Sequence, residues 1–138
     1  MTTKDYLRRA FEIDRRLQIK YRRLKVMESR AEGSYYREEG EGHHADYVRS
    51  RMEECAIKVL ELKELIADDE KLLKDVRNQI KQAIRSTGNE LYVTVLEMRY
   101  LQYMSWDEIC SQMGYGKTNV FRLHGEALES VVLPPAAE

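Results

Sequence analysis

The residues whose spacing most resembles a chemical motif are Gly116, Lys117 and Thr118, the last three letters of a phosphate-binding loop. That loop has the pattern G-x-x-x-x-G-K-[ST] and follows a buried strand. Here Ser111 occupies the position of the first glycine, and Gly114 is too close to Gly116 to shape the loop. The preceding segment is not an apolar strand. The spacing therefore argues against a nucleotide site.

The sequence does not predict a metal site, a reactive thiol or an acid–base pair either. His43 and His44 are adjacent in a segment rich in Gly and Glu, without a second ligand pair at a suitable spacing, so we predict solvated side chains. Cys55 and Cys110 have half-apolar, helix-like surroundings and are predicted to be small buried hydrophobes in a reducing cytoplasm. We expect no catalytic residues, no metal and no cofactor, hence no enzyme.

Length and composition bound the architecture. The chain has 138 residues, of which 34% are charged, and only two prolines, a composition that favours long solvated helices. No apolar run approaches the roughly 20 residues of a membrane span, and the N-terminal segment lacks the apolar core of a signal peptide. We expect an all-α protein of the cytoplasm, without a membrane partner.

The net charge of −1 conceals an uneven distribution of charge. Residues 1–31 contain ten Lys and Arg against four Asp and Glu, whereas residues 32–75 contain seven against thirteen. A basic arm can bind nucleic acid. The interpretation that we favour is that the basic segment lies along the acidic one.

Two long helices are predicted in the first part of the chain. Residues 3–31 have apolar side chains at helical spacing, and residues 46–87 have the alternating steps of four and three that define a coiled-coil seam. The seam residues are Cys55, Val59, Leu62, Ile66, Asp69, Leu73, Val76, Ile80, Ala83 and Thr87. Residues 32–45 lack this periodicity and contain three glycines, so a flexible loop is predicted there. The role of Tyr35 and Tyr36 in this loop stays open.

A helix of this length cannot bury its apolar stripe alone. We expect residues 1–87 to form a long antiparallel helical hairpin similar to a coiled coil. Because the second helix is longer than the first, part of its seam is expected to stay uncovered. That surplus favours self-association, with a homodimer through the hairpin as the expected form.

Residues 88–132 are predicted to form a second domain, and residues 133–138 a disordered tail. Gly88 and Asn89 suit a helix C-terminus. The helix that follows is predicted to turn Leu91, Val95, Met98 and Leu101 inward.

The next residues have the spacing of a helix-turn-helix. Ser105 and Glu108 form a capping box, Gly114 supplies a left-handed turn, and a second helix starts near Lys117. The predicted inner positions are Ile109, Cys110, Met113, Val120, Leu123, Ala127 and Leu128, and Tyr115 is predicted to be the apolar residue of the turn. This pattern is typical of DNA-binding modules, and an ordinary helical hairpin with a tight turn is the alternative.

Residues 76–130 also resemble region 4 of sigma-70-type factors, the module that reads promoter −35 elements. The resemblance is carried by "L-x-x-R-Y" at Leu96, by "S-W-x-E-I" at Ser105 and by the "M-G-Y" turn, whereas Gly116 stands where region 4 usually has Ser or Thr. The ending "R-L-H-G-x-A-L" at Leu128 is similar to small phage and prophage proteins near the ArpU- and RinA-type late-gene regulators. The resemblance implies a phage-derived or prophage-encoded regulator in a bacterial host, acting with RNA polymerase. Nothing resembles the sigma region that melts the −10 element.

In a helix-turn-helix the N-terminal turns of the second helix enter the major groove. The candidates for base contacts are Thr118, Asn119, Phe121 and Arg122. Asn119 can bind adenine and Arg122 guanine, each through two hydrogen bonds. Lys117 and Ser105 are better placed for phosphates, and His124 is predicted to be structural.

Three functions remain open at this point. The sequence favours a regulator of transcription that binds double-stranded DNA, alone or with RNA polymerase. The alternatives are a DNA-recognition component of phage packaging, similar to a small terminase subunit, and an adaptor that binds polymerase without touching DNA. Residues 105–130 contain two cations against four carboxylates, so one copy should bind DNA weakly.

Overall fold

The computed structural model describes the backbone of residues 1–37 and 42–135 and the side chains of residues 1–30 and 46–135. Within these ranges the chain forms five helices and no strand, so the fold is all-α, as predicted. The helices are α1 (Thr3–Arg37), α2 (Gly42–Arg85), α3 (Glu90–Tyr100), α4 (Trp106–Met113) and α5 (Lys117–Ser130).

The two long helices extend beyond their predicted ends. The backbone of residues 32–37 and 42–45 is helical, where a loop was predicted. No proline interrupts these segments, and a glycine inside a helix costs only about 1 kcal/mol relative to alanine, which a long packed helix tolerates. The side chains of Tyr35, Tyr36, His43 and His44 lie outside the described residues.

The chain divides into two compact units. Unit 1 comprises Met1–Asp14 and Leu72–Glu138, and unit 2 comprises Arg15–Lys71. The boundary predicted between residues 87 and 88 lies inside unit 1, because the first turns of α1 and the last turns of α2 group with the C-terminal helices. Of the predicted tail, residues 133–135 are described, with Leu133 half-buried, and residues 136–138 lie outside the description.

Unit 2 is a pair of helical segments with a narrow seam. On α1 the seam consists of Leu17, Lys20, Leu24 and Met27, and on α2 of Val48, Met52, Cys55, Val59, Leu62, Ile66 and Asp69. These are the only buried or half-buried side chains described in the unit, and they follow steps of three and four. Lys20 forms an ion pair with Asp69, which explains the polar interruption of the predicted seam.

Contacts beside the seam show the direction of the two segments. The Tyr21 hydroxyl donates a hydrogen bond to Glu70 over 2.8 Å, and the Lys63 ammonium lies 3.5 Å from the Glu28 carboxylate. Residue numbers therefore rise along α1 as they fall along α2. The segments of unit 2 are antiparallel.

Unit 1 buries the rest of the seam. Val76, Ile80 and Ala83 are buried, so the predicted uncovered surplus on α2 is wrong for these residues. The surplus does not exist because the C-terminal helices and the start of α1 belong to the same compact unit. An exposed seam is therefore no longer a reason to expect self-association.

The C-terminal helices pack around α5, which contacts both α3 and α4. Val95, Leu96 and Tyr100 are the buried residues of α3, whereas Leu91, predicted to point inward, is 46% exposed. Because α3 contacts two other helices, its buried face is wider and rotated relative to the simple stripe that the sequence predicts.

Arg77 of α2 fixes the connection between α3 and α4. Its guanidinium donates hydrogen bonds to the Leu101 carbonyl over 3.1 Å and to the Tyr103 hydroxyl over 3.0 Å. Tyr103 has a positive φ of 55°, a conformation that residues other than glycine seldom adopt, and Phe11 of α1 packs edge-on against its ring. Charge and aromatic packing together hold the strained residue.

Helix ends follow the sequence closely. Asn89 caps α3, its side chain accepting from the Leu91 and Tyr92 amides, and Ser105 caps α4, accepting from the Glu108 amide over 3.2 Å. Gly114 ends α4 at φ 71° and donates its amide hydrogen to the Cys110 carbonyl. The predicted ends of α4 are confirmed, whereas Asn89, predicted with Gly88 at a helix C-terminus, caps the start of α3 instead.

No helix within the described part of the chain has the length and apolar character needed to cross a membrane.

Gly114→Ala should lower the free energy of unfolding of unit 1 by about 1 kcal/mol, because a Cβ resists the left-handed conformation. The matched control is Gly125→Ala, inside α5, where an added Cβ meets nothing within 4 Å. That variant should gain up to about 1 kcal/mol from helix propensity. Urea unfolding followed by the fluorescence of Trp106, the single tryptophan, measures both. Equal changes in the free energy of unfolding for the two variants would contradict the left-handed conformation of Gly114.

Candidate nucleic-acid interface on α5

The first two turns of α5 separate an inner from an outer face. Val120 and Leu123 are buried, whereas Lys117, Thr118 and Arg122 are exposed. Asn119 is half-buried, and Phe121 is 48% exposed. The structure thus places the residues predicted to contact DNA on the outer side of α5, with Asn119 at its edge.

Arg122 is held by two neighbours on its own helix. Its guanidinium donates to the Asn119 side-chain oxygen over 2.7 Å and to the Glu126 carboxylate over 2.9 Å. The second carboxylate oxygen of Glu126 accepts from the Tyr92 hydroxyl of α3 over 3.1 Å, and this hydrogen bond raises the pKa of Tyr92. Arg122 therefore sits at the end of a chain of hydrogen bonds that starts on another helix.

This network limits what Asn119 and Arg122 can offer to a ligand. Glu126 neutralises one of the two cations of α5, and the Asn119 oxygen already accepts a hydrogen bond. A contact between Asn119 and adenine needs that oxygen as an acceptor. The two predicted base-reading side chains are therefore ordered as a pair and have to exchange partners to reach a base.

Trp106 joins the three C-terminal helices. Its ring packs edge-to-face with Phe121 at 5.1 Å and with His124 at 4.8 Å, both on α5. The Arg99 guanidinium of α3 lies 4.4 Å from the centre of the same ring. Phe121 is thus partly held by Trp106, which leaves its outer edge for contact with a ligand.

The residues predicted for phosphate contacts lie near the start of α4. The Lys117 ammonium is 3.1 Å from the Asp107 carboxylate, and both side chains are exposed. An exposed ion pair contributes less than about 1 kcal/mol, so a phosphate can compete for Lys117. Ser105 is occupied as an acceptor by the cap of α4, and its hydroxyl hydrogen remains available as a donor.

His124 supports α5 from behind. Its Nε2 lies 2.7 Å from the Tyr100 hydroxyl. Burial raises the pKa of Tyr100 to about 12, and burial, together with the Lys4 and Arg99 charges, lowers the pKa of His124 to about 4. At neutral pH the phenol is protonated and the imidazole is neutral, and the tautomer of His124 sets which of the two groups donates. The prediction that His124 is structural agrees with this burial.

Sequence reasoning assigned no role to four residues that shape the site: Tyr92, Arg99, Trp106 and Glu126. Arg99 and Trp106 belong to the quoted motifs, but a motif gives no contact between two helices. The pairing of Arg122 with Glu126 could have been found from their separation of four residues. Tyr115, predicted to be the apolar residue of the turn, directly follows the left-handed Gly114 and is 36% exposed.

The described side chains include no group of three or more His, Cys, Asp or Glu residues that could hold a metal ion. His43 and His44 are not among them.

The lowered pKa of His124 makes the stability of unit 1 depend on pH. The unfolded chain takes up the imidazole proton near pH 6.5, whereas the folded protein resists it until about pH 4. The stabilisation is therefore complete above pH 6.5 and is lost as the pH falls to about 4. Between pH 6.5 and about pH 4 the free energy of unfolding should fall by about 2 kcal/mol more in the wild-type protein than in His124→Gln. Urea unfolding followed by Trp106 fluorescence measures the free energy of unfolding of both proteins at each pH. A difference between the two proteins that does not change with pH would contradict the prediction.

Comparisons with known proteins add no family assignment: the chain matches no protein-family model, no curated protein and no solved structure.

Proposed function

We propose that this protein is a non-enzymatic regulator of transcription that binds double-stranded DNA with α5 in the major groove. The observation that carries the proposal is the arrangement of α4 and α5. A side-chain cap starts α4, a left-handed glycine ends it, and α5 begins three residues later with its polar residues outward. This arrangement supports the assignment of a helix-turn-helix recognition module.

The outer face of α5 has suitable chemistry for a groove. Asn119 and Arg122 are side chains that bind adenine and guanine edges, and Phe121 can meet a thymine methyl group. Thr118 is exposed on the first turn, beside Lys117. The resemblance of residues 76–130 to sigma region 4 supports a role beside bacterial RNA polymerase, in a protein of phage or prophage origin.

Charge limits the affinity of a single copy. Each cation of α5 faces a carboxylate, Lys117 at Asp107 and Arg122 at Glu126. Few phosphates can be neutralised, and phosphate neutralisation supplies most of the affinity of DNA-binding proteins. We propose that useful binding requires a second copy or the polymerase. The same shortage of cations favours, as the second candidate, an adaptor that contacts polymerase alone.

The double variant Asn119→Ala/Arg122→Ala should abolish preference for the protein's target site. Each lost two-bond base contact costs about 1–3 kcal/mol of discrimination, so the ratio of specific to non-specific affinity should fall at least about tenfold. Selection from a library of random duplexes identifies the site, and fluorescence anisotropy measures the ratio.

The matched control is Asn78→Ala/Lys81→Ala. It removes one amide and one cation at the same spacing from exposed positions of α2 in the same unit. It should leave site preference unchanged. A wild-type protein that binds no duplex even at low salt would overturn the DNA-binding proposal and favour the adaptor.

Glu126→Gln should increase affinity for non-specific duplex DNA several-fold at low salt. The change removes the carboxylate that neutralises Arg122. Arg122 can then contact about one more phosphate, so the DNA affinity should depend more steeply on salt concentration. Anisotropy titrations at several salt concentrations measure both quantities.

Glu129→Gln is the control for this change in net charge. Glu129 is exposed in the last turn of the same helix, away from the outer residues of the first two turns. Equal increases in the two variants would show a general charge effect and remove the support for Arg122 as a DNA contact.

A further inference from the structure

The seam of unit 2 leaves two flanks, one on each side of the helix pair. Successive helical residues are about 100° apart, so residues just after a seam residue lie on one flank and residues just before one lie on the other. Because the two helices are antiparallel, residues that follow a seam residue lie on the same side of the pair in both helices. Residues that precede a seam residue lie together on the opposite side. We call the side formed by residues that precede a seam residue the open flank, and the other side the bridged flank.

The bridged flank carries the contacts between the helices outside the seam. Tyr21 and its partner Glu70 each follow a seam residue, and so do Glu28 and its partner Lys63. On the open flank of unit 2, by contrast, the described residues form no hydrogen bond or ion pair across the two helices. Among the described residues, therefore, only the bridged flank has polar contacts between the two helices of one chain beside the seam.

On α1 the open flank is cationic and apolar. Arg16 and Arg23 each precede a seam residue, and Arg30 lies seven residues beyond Arg23 on the same face of the helix; all three are exposed and form a column. Beside the column, Ile19 is 54% exposed and Val26 48% exposed. The only carboxylate between residues 15 and 30 is Glu28, which belongs to the bridged flank.

On α2 the open flank carries a matching acidic column. Glu54, Glu61 and Asp68 also follow one another at steps of seven, and all are exposed. Leu65, on the same flank, is 53% exposed, and Arg51 and Lys58, which also precede seam residues and are exposed, interrupt the acidic surface. One face of the pair therefore has arginines along α1, three carboxylates and two cations along α2, and exposed apolar groups on both helices.

Two members of each column lie at matching heights. Arg23 is two residues beyond Tyr21, and Asp68 is two residues before the partner of Tyr21, Glu70. The same relation holds further along, where Arg30 is two residues beyond Glu28 and Glu61 is two before Lys63. Arg23 is thus level with Asp68, and Arg30 with Glu61.

We infer that a second copy of this chain covers the open flank, forming a two-fold dimer in which α1 of each copy lies antiparallel along α2 of the other. A two-fold axis parallel to the helices preserves height, so Arg23 meets Asp68 of the second copy and Arg30 meets Glu61. The same contact buries the exposed apolar side chains of Ile19, Val26 and Leu65. The dimer follows from unit 2 alone and does not depend on the DNA-binding proposal.

The alternatives fit the open flank less well. The other two-fold arrangement lays α1 on α1 and brings the arginine columns together, which costs energy through like charges. A nucleic acid could bind the arginines, but its phosphates would then lie beside the acidic column of the same face. Exposed apolar groups beside both columns are typical of a protein contact.

Charge reversal tests the dimer directly. Sedimentation equilibrium of the full-length chain should give a dimer for the wild-type protein. Arg23→Glu and Asp68→Arg alone should each raise the dimer dissociation constant at least about tenfold, because like charges then face each other. The double variant Arg23→Glu/Asp68→Arg should restore the dimer. Arg22→Glu, exposed on α1 away from the seam and from the open flank, should leave it unchanged.

Several outcomes would overturn the inference. They are a monomeric wild-type protein, an assembly larger than a dimer, and a double variant that stays as weak as the single ones. Circular dichroism verifies that each variant keeps its helices. If the wild-type protein is monomeric and Arg23→Glu removes binding to a random-sequence duplex, the open flank is a nucleic-acid surface instead.

Discussion

A long helix with one apolar stripe has to find a partner along its whole length, and α2 meets this requirement in two ways. In unit 2 the stripe is a narrow seam shared with α1, and in unit 1 its continuation at Val76 and Ile80 is buried among other helices. Burying the last turns of α2 couples them to the C-terminal helices. Arg77 completes this coupling by binding the connection between α3 and α4.

The support of α5 depends on that packed unit. Trp106 and Tyr100 contact His124 from two other helices, and burial of the imidazole keeps it neutral. The outer side of α5 is different, because its charges are balanced by weak local pairs that a ligand can replace. A rigid inner face and an exchangeable outer face suit the proposed groove-binding role.

Much of the fold could be predicted because it is encoded locally. The seam positions from Cys55 to Ala83 are all buried or half-buried, and the ends of α4 follow from Ser105 and Gly114. Predictions failed where distant packing decides, as at Leu91, or where helical continuity outweighs glycine, as at residues 32–37. Within the candidate site, exposure on α5 was predictable from periodicity, but the hydrogen bond from Tyr92 was not.

The sequence by itself determined the all-α class, the heptad seam, the helix caps and the outer face of α5, because each depends on neighbours within about one or two helical turns. Only the tertiary structure decided that the chain divides at Asp14 and Lys71, that the far end of α2 is covered, and that Arg122 is held by Glu126 and Asn119. It also decided on which flank of unit 2 the described side chains form contacts between the two helices. These features depend on which helices meet and at which height, and helical periodicity alone does not specify that.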